Sequence, residues 1–137
     1  MHRWVDHTGE LELRLEAGSE EGVFREALVA LAALLVERID EDGGEATRHE
    51  LHASAPDRPT LLAEWLSELA FLAETEGFVP ERVDELSISS SGSAVDLDAI
   101  VGGRRADPPH LVKAVTYHRL EMAERDGTWR ATVVLDV

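Results

Sequence analysis

The segment that decides the fold alternates leucine with charged residues and reads Glu10-Leu11-Glu12-Leu13-Arg14-Leu15-Glu16. Successive side chains of a β-strand point to opposite faces, so this alternation predicts a strand with one apolar face and one charged face. The leucine face needs a second layer to cover it. The rest of the chain must therefore supply that layer, together with strands that pair with this one.

Two later segments repeat apolar residues at helical spacing and are predicted to form amphipathic helices. The first spans residues 19–39, with Ser19 as the N-cap and two glutamates in the first turn, where the helix dipole favours anions. The second spans residues 60–75, and Gly77 is placed to adopt the left-handed conformation that ends a helix. These two helices are the expected covering layer.

Five further segments are predicted as strands, at residues 46–54, 83–89, 94–101, 113–124 and 129–137. Turns are expected at residues 40–45 and 102–110, and Asp126-Gly127 predicts a hairpin. We therefore expect one domain over residues 1–137, an α+β two-layer sandwich with both helices on one face of an about six-stranded sheet. The sheet is expected to be mostly antiparallel, with mixed pairing where helices intervene. One face of the 113–124 strand should carry Ala114, Thr116, His118, Leu120 and Met122.

The charge balance narrows the classes of function. Asp and Glu number 28 against 13 Lys and Arg, which gives a net charge of −15. A field of this sign repels phosphate backbones, so direct nucleic-acid binding is not expected. The excess instead fits a basic protein partner, a bound cation or simple solubility. The chain has no cysteine, which excludes disulfides, thiolate metal sites and Fe–S clusters. The absence of a signal-like or membrane-spanning apolar run makes a cytoplasmic protein the expectation.

Oxygen-bearing residues at the ends of two predicted strands are the main candidate site. Glu10 begins the first strand, while Asp136 and Val137 end the last one. Hard divalent cations prefer several oxygen ligands, typically carboxylates. If these two strands lie side by side and antiparallel, their oxygens converge. The alternative is a pair of solvated strand ends.

Other patterns of catalytic residues are missing from the sequence. It has no phosphate-binding glycine loop and no serine in a nucleophile elbow, so no enzyme is predicted. His49 and His52 are a weak zinc candidate, because a spacing of three places them on opposite faces of a strand.

Several segments stand in the order expected of one known family: the opening Asp6-His7-Thr8-Gly9-Glu10, then Trp65–Leu69 and Glu74–Gly77. The opening is similar to the Asp-His-Thr-Ala-Asp motif of the archease family, and the other two segments look like the second helix of that family. The most specific likeness lies in Lys113-Ala114-Val115-Thr116-Tyr117-His118, followed by a terminal strand that stops one residue after Asp136. The Asp107-Pro108 loop ahead of His110 also fits. The resemblance covers nearly the whole chain.

The resemblance implies an accessory protein of RtcB-type RNA-splicing ligases rather than an enzyme. Archeases promote guanylylation and turnover of the ligase in tRNA splicing or RNA repair. They carry a divalent metal ion, usually calcium, with magnesium and manganese as the alternatives here. By motif position the ligands fall on Glu10, Asp136 and Val137. A monomer or weak oligomer is expected. The competing hypothesis is a stand-alone chaperone-like or small-ligand module on the same fold.

The chain departs from the family pattern at two places. Glu10 follows Gly9 where the family has Ala-Asp, and Gly102-Gly103 stands where the family tends to Gly-Glu; both bear on metal affinity more than on fold. Lys113 is the sole lysine of the chain and, with His7 and His118, is a candidate contact for the ligase. The alternative for Lys113 is an edge charge that opposes aggregation.

Overall fold

The computed structural model describes residues 1–36, 44–107 and 112–137. Within these residues there are two helices, α1 (Glu20–Val36) and α2 (Arg58–Glu76). The seven strands are β1 (His2–His7), β2 (Glu10–Ala17), β3 (Ala46–Ala55), β4 (Phe78–Ser91), β5 (Ala94–Arg105), β6 (Ala114–Arg125) and β7 (Thr128–Asp136). The expected α+β class is confirmed. No helix in the described ranges is long and apolar enough to cross a membrane.

The strands form two sheets where one was expected. Four strands pair in the order β1-β2-β7-β6 and three in the order β3-β5-β4. Every pair in the described residues is antiparallel, so the expected mixed pairing does not occur. The reason lies in β1, which sequence patterning did not detect: it occupies the edge of β2, and β7 occupies the other edge. β2 therefore has no edge left for β3.

The two helices lie between the sheets instead of covering one face of a single sheet. α1 contacts β2 and β4, and α2 contacts β3 and β6, so each helix touches both sheets. The indole of Trp65 donates a hydrogen bond to the carbonyl of Phe24 at 2.9 Å, and the two rings meet edge to face. This contact joins α2 to α1 in the core. Leucines of β2 and β5, among them Leu13 and Leu97, close the core from the two sides.

α2 starts at Arg58, two residues before the predicted start, and its other end follows the sequence signal. Asp57 is the N-cap and accepts a hydrogen bond from the backbone amide of Thr60 at 2.8 Å. The side chain of Thr60, and after it this backbone amide, lower the pKa of the Asp57 carboxyl by hydrogen bonding, and burial opposes the shift. Gly77 ends the helix with φ +59°, as predicted. α1 ends at Val36, and the rest of the helix expected to residue 39, with most of the 40–45 turn, lies outside the described residues.

The expected loop at residues 102–110 is wrong over its first part, because β5 continues to Arg105. Gly102 and Gly103 are buried in the strand and pair with β4. A Cβ atom on Gly103 would lie 2.0 Å from the carbonyl oxygen of Val79, so this glycine permits close approach of two backbones. Residues 108–110 of the expected loop lie outside the described ranges.

Candidate metal centre at one end of the four-stranded sheet

The residues predicted as metal ligands are neighbours in the four-stranded sheet. Glu10 is the register partner of Asp136 across β2 and β7. The amide of Val137 donates to the carbonyl of Gly9 at 3.1 Å, and the amide of Lys113 donates to the carbonyl of Asp136 at 2.8 Å. The antiparallel juxtaposition expected of the two strand ends is therefore present. The bound ion itself stays a prediction.

Glu10 carries a polar atom without a hydrogen bond. Its Oε2 atom is buried and accepts no hydrogen bond, although 38% of the whole side chain is exposed. The nearest positive charge is Nη2 of Arg119, which lies 3.6 Å from this oxygen. That distance is an ion pair and is too long for a hydrogen bond. An unsatisfied carboxylate oxygen beside a second carboxylate is the chemistry that a hard cation would satisfy.

The donor set fits a divalent cation only with help from the chain terminus. In residues 1–36, 44–107 and 112–137, no three His, Asp or Glu side chains gather into a metal-binding group. A cation between Glu10 and Asp136 would therefore need an oxygen of Val137 as its third protein ligand. The Val137 amide, held on Gly9, keeps that residue beside β2.

Glu12, which sequence reasoning did not single out, is the centre of the charged network beside this site. Its side chain is 4% exposed and contacts Nε of Arg14 at 2.6 Å, Nη1 of Arg119 at 3.2 Å and Nε2 of His7 at 3.5 Å. The hydrogen bond from Arg14 lowers the pKa of Glu12, burial opposes this, and the charges of Arg14, Arg119 and His7 lower it further. Glu12 is thus an ionised carboxylate surrounded by basic groups.

A bulge in β6 brings Arg119 to this network. Thr116 pairs with Val134 and Glu121 with Thr132, so β6 carries three more residues than β7 between these pairs. Arg119 lies in the bulge with φ +57°, a left-handed conformation that costs about 1–2 kcal/mol for a residue with a Cβ atom. Because residue 119 is an arginine and not a glycine, the sequence gives no signal of this left-handed conformation.

The bulge also corrects the predicted faces of the 113–124 strand. Met122 is buried and pairs with Ala131 on the core side, whereas Ala114 pairs with Asp136, whose neighbour Leu135 faces the core. Ala114 and Met122 therefore lie on opposite faces. The expected common face fails because the extra residues reverse the alternation.

The three partner-contact candidates lie near the same end of the sheet. His7 is the register partner of Glu10 in β1, and Lys113 is joined to Asp136 through its amide. His118 lies in the bulge, where its amide donates to Oγ1 of Thr116 at 3.3 Å. The adjacent Tyr117 is exposed and donates to Glu64 of α2 at 3.1 Å, a hydrogen bond that raises the pKa of the phenol. No partner is present to test these contacts.

The other histidine candidates do not form a metal site. His52 is exposed on β3 and pairs with Asp98 at 2.9 Å. His49 instead packs edge to face on the buried ring of Phe78, with centroids 4.6 Å apart. The two rings have different surroundings on opposite faces of β3, as expected from their spacing.

These features define a class of small α+β proteins in which two sheets enclose two helices and acidic strand ends meet beside the chain terminus. The sequence matches the Archease protein family over residues 2–137. The chain therefore belongs to the archease family.

Relatives and solved structures agree with this assignment. The chain is 29% identical over 143 residues to Protein archease of Methanosarcina barkeri, covering 99% of this chain and 95% of the relative. It is 32% identical over 125 residues to Protein archease of Methanothermobacter thermautotrophicus, covering 85% and 84%. The solution structure of Methanobacterium thermoautotrophicum protein 1598 superposes with a TM-score of 0.79 at 26% identity, covering 99% of this chain and 98% of that one. A Thermotoga maritima protein, described as an archease and possible chaperone, shares the fold with a TM-score of 0.59 at 18% identity, covering 100% and 98%.

Proposed function

We propose that this protein is an accessory factor that activates an RtcB-type RNA ligase by promoting its guanylylation and turnover, in tRNA splicing or RNA repair. Membership of the archease family supports the class of function. The observation that carries the proposal is the pairing of Glu10 with Asp136 beside Val137, with Oε2 of Glu10 buried and without a hydrogen bond.

In this proposal Glu10, Asp136 and an oxygen of Val137 hold one divalent cation, with calcium expected and magnesium or manganese as alternatives. The bound cation supplies a concentrated positive charge to an otherwise acidic protein. Glu10 and Asp136 are direct neighbours across two strands, where like charges destabilise a sheet. Neutralising them would order this end of the sheet, and His7 and Lys113 would then present a defined surface to the ligase.

The charge of the chain supports a protein partner over RNA. A net charge of −15 opposes phosphate contacts, which need clustered Lys and Arg. Arginines that lie close together are held by carboxylates, as Arg14 and Arg119 are by Glu12 and Arg48 and Arg82 are by Asp84. The protein would therefore act through the ligase and would not bind tRNA by itself.

A guanylylation assay tests the function. The cognate RtcB-type ligase is incubated with labelled GTP, a divalent cation and substoichiometric amounts of this protein, and covalent GMP on the ligase is counted. Wild type should raise the rate, and Asp136→Asn, which keeps the shape but removes the charge, should lower that rise at least about tenfold. Asp98→Asn, on the exposed face of the other sheet, is the matched control and should activate like wild type. Full activation by Asp136→Asn would show that activation does not need the metal site. No activation by wild type would show that the ligase is not the partner.

The second candidate is a stand-alone chaperone-like or small-ligand module. It is favoured by an open groove of about 680 Å³ on the outer face of the three-stranded sheet, lined by Glu50, His52, Glu85, Ser87, Asp98 and Ile100. In this case the protein should suppress aggregation of an unfolding client without any ligase. Loss of that suppression in a variant of the groove, with ligase activation absent throughout, would favour this alternative.

A further inference from the structure

Arg119 reaches across the four-stranded sheet to two carboxylates that have different surroundings. Its Nη1 atom lies 3.2 Å from Oε1 of Glu12, and its Nη2 atom lies 3.6 Å from Oε2 of Glu10. Glu12 has a second cation, Arg14, at 2.6 Å. Oε2 of Glu10 has no hydrogen bond from any group in the described residues. One guanidinium is therefore anchored on Glu12 and only loosely paired with Glu10.

The pair between Arg119 and Glu10 is well suited to exchange. The pair is weak because Nη2 of Arg119 and the buried Oε2 of Glu10 lie 3.6 Å apart and share no hydrogen bond, while the rest of each side chain is partly exposed, 43% for Arg119 and 38% for Glu10. Arg119 belongs to a bulge with left-handed backbone, outside the regular ladder of β6. The face around it is open, with a cavity of about 600 Å³ lined by Glu12, Arg14, Arg119, Leu120, Glu121 and Thr132. The guanidinium can leave Glu10 without disturbing a strand pairing.

We propose that Arg119 is a built-in counter-cation for the candidate metal centre: it pairs with Glu10 in the metal-free protein and releases it when a divalent cation binds. Arg119 would then set the cation affinity of the centre and keep the metal-free carboxylates from repelling each other. This inference rests on the metal site in the proposed function, and it adds the residue that regulates that site.

The geometry assigns this role to Arg119 and to no other arginine of the same face. Arg14 contacts Glu12 through Oε2 and Arg130 pairs with Glu16 at 3.6 Å, and neither has a contact with Glu10 in the structure. These two residues supply matched controls. Arg130→Asn makes the same change in net charge on the same face, and Arg14→Asn removes a partner of Glu12 while leaving Glu10 alone.

The experiment is calorimetric titration of CaCl₂ into chelator-treated protein at fixed low salt. Arg119→Asn is the main variant, because Asn tolerates the left-handed conformation that residue 119 adopts. It should bind calcium about fivefold more tightly than wild type, the factor expected from losing one exposed ion pair. Arg130→Asn and Arg14→Asn should each change the affinity by less than about twofold, through net charge alone. Equal tightening in all three variants, or no calcium binding by Arg119→Asn, would overturn the proposal.

A second measurement follows the guanidinium directly. In wild type, the arginine Nε–Hε NMR signal that is absent from Arg119→Asn should shift on addition of calcium, while the signal missing from Arg130→Asn stays in place. A stationary Arg119 signal at saturating calcium contradicts the release. These measurements do not involve the ligase. If guanylylation is not stimulated but Arg119→Asn binds calcium more tightly, only the proposed function is wrong. If the ligase is activated normally but Arg119→Asn binds calcium like wild type, only the role of Arg119 is wrong.

Discussion

Strands of both sheets alternate polar with apolar residues, so both outer faces carry polar side chains. The charged side chains of the two faces differ in their burial. On the four-stranded sheet, Glu12 is 4% exposed and is contacted by Arg14, Arg119 and His7. On the three-stranded sheet, His52 and Asp98 pair at 2.9 Å while 62% and 67% of their side chains remain exposed. The four-stranded sheet therefore buries an ionised carboxylate, whereas the His52–Asp98 pair of the three-stranded sheet stays in water.

The difference arises from backbone geometry. The bulge in β6 releases Arg119 from the ladder and lets it lie over Glu10 and Glu12 of β2. On the other sheet, His52, Asp98 and Ser87 are direct register partners across three strands, and the groove above them stays open. β4 of the other sheet also has register shifts, and Asp84 pairs with Arg48 and Arg82 there, but its side chain stays 24% exposed. The bulge in β6 is what places Arg119 over Glu12 in the more deeply buried network.

The largest expected effect tests the backbone packing of the three-stranded sheet. Gly103→Ala should lower the free energy of unfolding by about 3 kcal/mol, because the added Cβ would meet the carbonyl of Val79 and the ring of Phe78. Urea denaturation measures the change. Gly18→Ala is the control, since a Cβ there has no neighbour within 4 Å, and it should stay within about 0.5 kcal/mol of wild type. Comparable stability of the two variants would show that β4 and β5 can move apart at this point.

A smaller effect is expected on the charged face. Glu12→Gln should lower the free energy of unfolding by about 2 kcal/mol, because it removes the charge that accepts the hydrogen bond from Arg14 and pairs with Arg119 at a nearly buried position. Asp98→Asn, the equivalent change on the open face, should cost less than about 0.5 kcal/mol. Chemical denaturation of both variants beside wild type tests the contrast. Equal costs would mean that burial of Glu12 does not distinguish the two faces.

The smallest effect is a pH dependence of that contrast. The pKa of Glu12 is lowered in the folded protein from its ordinary value of 4.5, so its ionised form stabilises the fold. This contribution is complete above the unfolded pKa and is lost as the pH falls through the lowered folded pKa. The stability difference between wild type and Glu12→Gln should therefore be constant from pH 7 to about 6 and shrink towards pH 3. If the stability difference between wild type and Glu12→Gln grew as the pH fell, the pKa of Glu12 would be raised and not lowered in the folded protein.

Local signals in the sequence determined much of the architecture. The leucine alternation of β2, the apolar periodicity of both helices and the cap at Gly77 depend on neighbouring residues, so they can be recognised without coordinates. The same holds for the hairpin at Asp126-Gly127. The position of Glu10 beside Asp136 also followed from strand ends and the family likeness, because antiparallel pairing leaves few other registers.

The tertiary structure alone decided how these elements combine and how the charges are used. β1 was missed because its residues alternate weakly, and its pairing with β2 divides the strands into two sheets. The bulge in β6 brings Arg119 to Glu10 and Glu12. These contacts join segments more than one hundred residues apart in sequence. Such contacts depend on register and on a left-handed arginine that no local pattern specifies. The sequence by itself therefore determined most of the elements and the pair of acidic strand ends, and only the fold placed Arg119 beside Glu10 and Glu12.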